Sequence, residues 1–314
     1  MILTNSRMHQ SALWRAHTRN VAAPGRARGE LADALRLVRA RRGAEGVVVL
    51  GARAALYYGA LTRLLGAGPP WVAKELLLDP PGRGPRAALK RAAYRWAVRG
   101  CRAFAVYSEH ERAACAAGLG VPPERCVFVP FHCRREPAAE PLPGTGPFLA
   151  AGRSRRDYAT LARAVREAGC RLTVVAPPAE ARHFAGLPGV EFRGELPDAE
   201  YRAVLEAATA VVVPLPPTPR SVGQAVVLEA MALGKPVLAA AVPGLADYLD
   251  PEETALTYRP GDAADLARQL GRLADPALRA RLGRAALQRV RERYTPDHHA
   301  RAVLDLVRRA GERP

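Results

Sequence analysis

An α/β fold of two doubly wound, Rossmann-like domains is predicted by three features of the chain. Short apolar runs of strand length alternate with longer amphipathic stretches along the 314 residues. That alternation is the pattern of parallel strands joined by helical crossovers. A stretch rich in Pro, Gly and charge, residues 134–147 (RREPAAEPLPGTGP), has no apolar period and divides the pattern in two. The length allows one large or two ordinary domains, each able to bury a core. The expected boundaries are 1–135 for the first domain, 136–147 for the linker and 148–295 for the second. Residues 296–314 then form a last helix after Pro296 that crosses back to the first domain.

In the first half the strand candidates are 47–50, 71–73, 103–107 and 127–129, with helical patterns near 52–65, 84–99 and 109–117. In the second half the strands are 148–151, 172–175, 190–192, 210–213 and 237–240. Helical patterns fall near 157–168, 197–208, 224–233, 262–273, 276–293 and 296–310. In such domains ligands bind beyond the carboxyl ends of the strands. With two domains, the crevice between them is the expected active site.

Composition narrows the class. The formal charge is +17, and lysine occurs only at Lys74, Lys90 and Lys235, so the excess is nearly all arginine. A GC-rich genome produces such a bias by itself. The functional reading is attraction to nucleotide diphosphates, acidic lipid or nucleic acid. At 6% aromatic residues, with no basic stretch interleaved with aromatics, single-strand nucleic acid is not the expected partner. Arg91, Arg95, Arg99 and Arg102 recur at helical spacing beside Lys90, Tyr94 and Trp96. Such a helix is either a solvated face or a dock for anionic lipid. No run of eighteen apolar residues predicts a membrane span, and the N-terminus does not read as a secretory signal. Cys101, Cys115, Cys126, Cys133 and Cys170 have no CxxC spacing, which fits a reducing cytoplasm and no zinc site. The expected location is the cytoplasm, with the inner membrane face as a peripheral option.

The segment 221–240, SVGQAVVLEAMALGKPVLAA, carries the most chemistry. Gly223 permits a tight turn, so Ser221-Val222-Gly223-Gln224 should open a helix whose free N–H groups suit a diphosphate. Glu229 lies a turn and a half further on among apolar neighbours, where a carboxylate is costly unless bonded. A ribose diol would satisfy it. A wet helix face or a pairing with Lys235 would also account for it.

The string Val227-Leu228-Glu229-Ala230-Met231-Ala232-Leu233-Gly234-Lys235-Pro236-Val237 resembles the donor-domain signature of glycosyltransferase family 4, a family with the two-domain GT-B fold. The resemblance implies that Glu229 binds the ribose of a nucleotide-sugar donor, a UDP- or GDP-sugar. Gly152-Arg153 is similar to the family's GR after its first donor-domain strand, and Arg156 stands where it has a phosphate-binding Lys. Phe192-Arg193-Gly194-Glu195-Leu196-Pro197 with Tyr201 resembles the run that packs beside the nucleobase, which implicates Gly194 and Leu196. Asp275-Pro276-Ala277-Leu278-Arg279 resembles its C-terminal helix, and Tyr107 to Arg112 and Val121 to Phe131 resemble the close of its acceptor domain. The match covers roughly residues 100–295.

The implied activity is sugar transfer from the donor to an acceptor hydroxyl, with retention and without an obligatory metal or other cofactor. Arg153, Arg156, Glu229 and His110 are the candidate catalytic residues. Gly152, Arg153, Arg156, Gly194, Leu196, Ser221, Val222, Gly223, Gln224 and Glu229 are the candidate donor contacts. His110, after strand 103–107, could meet acceptor or pyrophosphate, or be a loop histidine; Glu75 and Glu109 are further candidates for a base. The other histidines show no metal-ligand spacing, and there is no DxD pair. The chain departs from the family at Ser221, where a second Glu is common, at Asp247 in place of the Glu of PGxxE, and in its first domain. That domain looks shortened, lacks the usual glycine-rich first loop and carries Lys74-Glu75 near the place of a common histidine. The acceptor, whether small molecule, glycan or lipid-linked, is open. So are two other readings: a non-catalytic binder of nucleotide-sugars or anionic polymers, and another GT-B chemistry such as an epimerase or phosphorylase.

Overall fold

A computed structural model describes residues 1–6, 8–22, 29–66, 68–76 and 84–312. The chain divides into two compact units, 1–130 with 296–314, and 131–295.

The first unit is built on β1 (Ile2–Thr4), β2 (Thr18–Asn20), β3 (Gly46–Leu50), β4 (Trp71–Lys74), β5 (Ala103–Val106) and β6 (Cys126–Phe128). These pair in parallel in the order β2-β1-β3-β4-β5-β6. Alternate residues of each strand feed opposite faces. Leu3, Val47, Val49 and Phe104 enter one core with Leu37 of α2 (Glu30–Ala40), Ala55 and Tyr58 of α3 (Ala52–Leu64) and Val98 of α4 (Pro85–Val98). Leu119 of α5 (Glu111–Leu119) closes that layer. Ile2, Val48, Val72 and Ala105 face the other way, onto Trp14 of α1 (Ala12–His17). Burial on both faces is why these strands are continuous apolar runs.

The second unit holds β7 (Phe148–Ala151), α6 (Tyr158–Ala168), β8 (Leu172–Val175), β9 (Val190–Phe192), α7 (Asp198–Ala207) and β10 (Val211–Val213). It continues with α8 (Gln224–Ala232), β11 (Val237–Ala240), β12 (Leu256–Tyr258), α9 (Ala263–Arg272) and α10 (Pro276–Arg293). Its parallel order is β12-β11-β10-β7-β8-β9. The chain builds outward from β7 in one direction, then returns to β10 and builds in the other, so β7/β10 is a topological switch point. Asp157, Asp262 and Asp275 cap α6, α9 and α10, accepting from Thr160 N at 3.0 Å, Asp265 N at 3.0 Å and Ala277 N at 2.8 Å. Each such cap is worth about 1 kcal/mol.

Two findings bear on organisation. Residues 134–147, expected as a linker, lie along the second unit: Ala138 N donates to Ala232 O (2.8 Å), Leu142 N to Leu233 O (2.9 Å) and Gly146 N to Ala207 O (2.9 Å). Lys235, almost fully buried, donates to Pro143 O at 3.3 Å and Glu206 O at 2.5 Å. The stretch lacks an apolar period because its backbone bonds to helix ends rather than to a sheet. The last helix, α11 (Pro296–Glu312), belongs to the first unit. Its Ala300, Val303, Leu304 and Val307 fill the core under Val48 and Val72. Strands β1, β2 and β12 and helices α1 and α2 lie outside the expected elements. Of the three strands, β2 (TRN) is polar and half out of the core, so no apolar run marks it. No helix among the described residues is long and apolar enough to cross a membrane.

Candidate functional site

The loops carrying most of the expected donor contacts leave the carboxyl edge of the second unit's sheet. Gly152 to Asp157 follow β7, Gly194 to Pro197 follow β9, and Pro214 to Gly223 follow β10. The first and last meet at the switch point, where Asp157 N donates to Pro214 O at 3.0 Å.

Gly223 sits at the mouth of α8 with φ 93° and no side-chain cap, which leaves the helix N–H groups to other partners. A Cβ there would stand 3.2 Å from Leu215 Cδ1 and 3.3 Å from Val213 Cγ1 in a backbone region L-residues avoid. Gln224 is buried and its Nε2 donates to Gly244 O at 2.8 Å, tying the turn after β11 to the loop. That use of Gln224 is structural. Ser221 is buried, whereas Val222 is half-buried.

Glu229 is 5% exposed in α8. Its partner is not Lys235: Arg134 Nε donates to Glu229 Oε1. The carboxylate beside it strengthens the hold of Arg134 on its proton. Asp198 adds to the cluster, paired with Arg135 and 3.9 Å from Arg134. Glu229 Oε2 accepts no bond from a described residue. A carboxylate has about four lone-pair sites, so one guanidinium leaves capacity for two hydroxyl donors.

Arg156 is half-buried, with Nε donating to Ala151 O (3.1 Å) and Nη1 to Ser154 O (2.7 Å). Burial makes its charge harder to hold, and nearby Tyr158 and Tyr201 oppose that. It lies over Gly152, where a Cβ would come within 2.5 Å of its Nη2; Gly152 is required for the guanidinium to lie flat there. Arg153 is 73% exposed and reaches Glu195 Oε1 at 3.5 Å, which brings the β7 and β9 loops together. Gly194, at φ 62°, makes the turn after β9, and Leu196 is half-buried beyond it.

Tyr201 of α7 was passed over as a site residue. Its hydroxyl is buried and bonds no described residue. Burial pushes its pKa up and the Glu229 carboxylate pushes it further, against the pull of Arg134, Arg156 and Arg135. One phenol thus senses Glu229 on one side and Arg156 on another. Arg134 escaped notice because it lies in what reads as a linker. The available signal was its two cations, Arg134 and Arg135, five residues past Val129.

His110 belongs to the first unit, exposed at the start of α5. Glu75 lies after β4 at φ 57° and accepts from Tyr107 OH at 3.3 Å. Glu109 pairs with Arg112 at 2.9 Å. No group of three or more His, Cys, Asp or Glu among the described residues could hold a metal ion.

Residues 154–305 match a family model described as "Glycosyl transferase-like". That segment, just under half of the chain, is similar to the family. The chain is 31% identical over 213 residues, 66% of its length, to a D-inositol 3-phosphate glycosyltransferase of Acidothermus cellulolyticus. That alignment covers 46% of the relative, so the chain spans about half the length of the curated relatives it matches. Among solved structures it is similar to sucrose-phosphate synthase from Thermosynechococcus elongatus, with TM-score 0.67, 24% identity, and coverage of 93% of this chain and 82% of that one. It is also similar to Anabaena HepE in complex with UDP and glucose, with TM-score 0.68, 13% identity, and coverage of 98% and 99%. At such identities these two speak for the fold: two parallel-sheet, Rossmann-like units, as GT-B glycosyltransferases have.

Proposed function

We propose that the chain is a glycosyltransferase that moves a sugar from a nucleotide-diphosphate sugar to an acceptor hydroxyl. The observation that carries this reading is the buried Glu229 carboxylate, half satisfied by Arg134, in the helix opened by the uncapped Gly223 turn. In this reading the ribose hydroxyls donate to Glu229. The diphosphate lies at Ser221-Val222-Gly223-Gln224, against the α8 N-terminus and the Arg153 and Arg156 guanidiniums. Gly152, Gly194 and Leu196 shape the walls.

The chemistry follows from charge. Breaking the bond between the sugar and the diphosphate leaves negative charge on the phosphate oxygens. Fixed donors aimed at that charge stabilise the transition state, each worth about 10²–10³ in rate. Two guanidiniums and a helix N-terminus are such donors, and they need no metal. Retention at the anomeric carbon and a UDP or GDP donor belong to the same proposal. HepE was solved with UDP and glucose, which favours uridine as the first base to test. His110 and Glu75 are the first-unit groups proposed to face the acceptor.

A membrane is the proposed peripheral partner. Leu64 (73% exposed) and Leu65 end α3, and Leu89 (72%) and Trp96 stand on the adjoining α4, with Arg63 stacked on Trp96 at 5.0 Å. Exposed apolar groups beside cations suit an anionic bilayer. Arg95 does not serve there: its Nε and Nη2 donate to Gly118 O and Ala117 O at the end of α5.

The experiment is a panel of UDP-, GDP- and dTDP-sugars, read by thermal shift and by release of nucleoside diphosphate. One donor should stabilise the protein and turn over, and Glu229→Ala should abolish both. Binding without turnover across a broad acceptor panel would leave only a nucleotide-sugar binder. Turnover unchanged in Glu229→Ala would overturn the site.

A further inference from the structure

Glu229 has lone pairs for two more hydrogen bonds, but its burial keeps a ribose from reaching them. The carboxylate is almost fully buried in α8, and Arg134 Nε donates to its Oε1. The Tyr201 hydroxyl, close enough to feel both charges, is also buried and bonds no described residue. Two polar groups of the candidate ribose position are thus closed off. The Arg134 side chain, bonded to one of them, is half exposed.

Arg134 has a second carboxylate within reach. Its Nη2 stands 3.9 Å from Oδ1 of Asp198, the first residue of α7. Arg135 Nη2 donates to the other oxygen, Oδ2, which steadies the Asp198 side chain and leaves Oδ1 facing Arg134. A charge-assisted N–H···O bond spans about 2.8 Å, so a shift of roughly 1 Å would complete one. Asp198 is exposed and lies in the first turn of a helix, where a negative charge is stabilised. The backbone is anchored on both sides of Arg134: Cys133 N donates to Tyr294 O at 2.9 Å and Ala138 N to Ala232 O at 2.8 Å. Rotation of the side chain alone can make the exchange.

A buried carboxylate with no donor is costly, so Glu229 needs Arg134 until other donors replace it. A ribose diol brings two hydroxyl donors to the same carboxylate. The guanidinium stays charged throughout and needs an anion elsewhere, which Asp198 supplies. We propose that Arg134 is a latch on the donor site: it holds Glu229 until a nucleotide's ribose binds, then passes to Asp198 and uncovers Glu229 and the Tyr201 hydroxyl. This rests on the reading of Glu229 as the ribose carboxylate. The latch lowers nucleotide affinity, because the incoming diol must replace a bond already made.

The test is isothermal titration of UDP, GDP, ADP and dTDP into the full chain and its variants. Arg134→Met should bind the preferred nucleotide about tenfold more tightly than wild type, the worth of a half-exposed pair. The same variant should unfold at a lower temperature without ligand. A side chain that merely supports the fold would lose affinity along with stability. Asp198→Asn should weaken binding severalfold in the wild type and do nothing further in Arg134→Met, where the guanidinium it would receive is gone. Arg134→Gln, closer to the native side chain in polarity, should tighten binding in the same direction if Arg134→Met does not fold. Affinity equal to wild type or weaker in the Arg134 variants, with binding abolished in Glu229→Ala, overturns the latch and leaves the nucleotide site standing. Binding unchanged in Glu229→Ala, or no nucleotide bound by any of these proteins, removes the site and the latch together.

Discussion

Arg134 Nε donates to Glu229 Oε1, joining a residue from the segment before β7 to the second turn of α8. Glu229 is 5% exposed and the Arg134 side chain 51% exposed, so the pair is half in water. Removing Arg134 would strand a buried carboxylate. A fully buried pair broken this way costs 3–5 kcal/mol, and the exposure of Arg134 lowers that to about 1–3 kcal/mol. Urea unfolding of Arg134→Ala should show this loss, and Arg134→Ala/Glu229→Gln should recover most of it. Equal losses in the single and double variants would mean that the pair is not coupled.

Tyr201→Phe should separate binding from stability. The phenol hydroxyl is buried and bonds no described residue, so its removal should leave the unfolding free energy within about 0.5 kcal/mol or raise it slightly. If that hydroxyl contacts the nucleotide, affinity for the preferred nucleoside diphosphate should fall severalfold in isothermal titration. Unchanged affinity would remove Tyr201 from the site.

Arg153 and Arg156 should behave differently although they are three residues apart. Arg153 is exposed and loosely paired, so Arg153→Ala should cost turnover with stability held within about 0.5 kcal/mol. Arg156 holds two carbonyls of its own loop, so Arg156→Ala should lower both turnover and melting temperature. Arg156→Lys, with a point charge in place of the planar fork, should not restore either. Equal melting curves for the two alanine variants would contradict this division.

Gly223→Ala tests the helix mouth. At φ 93°, with Leu215 Cδ1 3.2 Å from the new Cβ, the substitution should cost about 1–2 kcal/mol. Because strain shifts the turn, donor affinity should fall further than in a variant of equal stability loss placed elsewhere. A neutral Gly223→Ala would show the turn to be relaxed.

Lys74 gives a pH signature in the first unit. It is buried beneath the Trp14 ring, and its Nζ lies 3.0 Å from His299 Nε2. His299 Nδ1 faces the Pro130 carbonyl at 2.7 Å, and a carbonyl only accepts. Nδ1 therefore carries the ring proton, and Nε2 accepts from Lys74. Burial pulls the lysine from 10.5 to about 8, opposed weakly by Glu75. The unfolded chain then binds more protons between those values, so wild-type stability rises with pH through that window and falls as pH drops through 8. Relative to Lys74→Met the gain should be about 1.4 kcal/mol per pH unit between pH 8 and 10.5. Chemical unfolding at pH 7, 8.5 and 9.5 reads it directly; a constant difference between the two proteins would mean that Lys74 titrates normally.

The fold class was legible because burying both faces of a parallel sheet demands long apolar runs, such as Val47 to Leu50 and Val211 to Val213, and these register in a linear reading. The string around Glu229 was legible for a related reason: a helix packed all round leaves one carboxylate conspicuous among apolar neighbours. Sequence thus determined the elements, their alternation and the outlying carboxylate. Only tertiary structure decided what that carboxylate meets. The Glu229 partner lies 95 residues away in a segment with no periodicity, and the Tyr201 hydroxyl became notable only once folding buried it without a bond. Lys74 and His299, 225 positions apart, met because α11 packs on β4, a contact fixed by Val303 and Val307 against the sheet and not by any local pattern. Pairings of this kind depend on which surfaces are removed from water together, and that is a property of the packed chain.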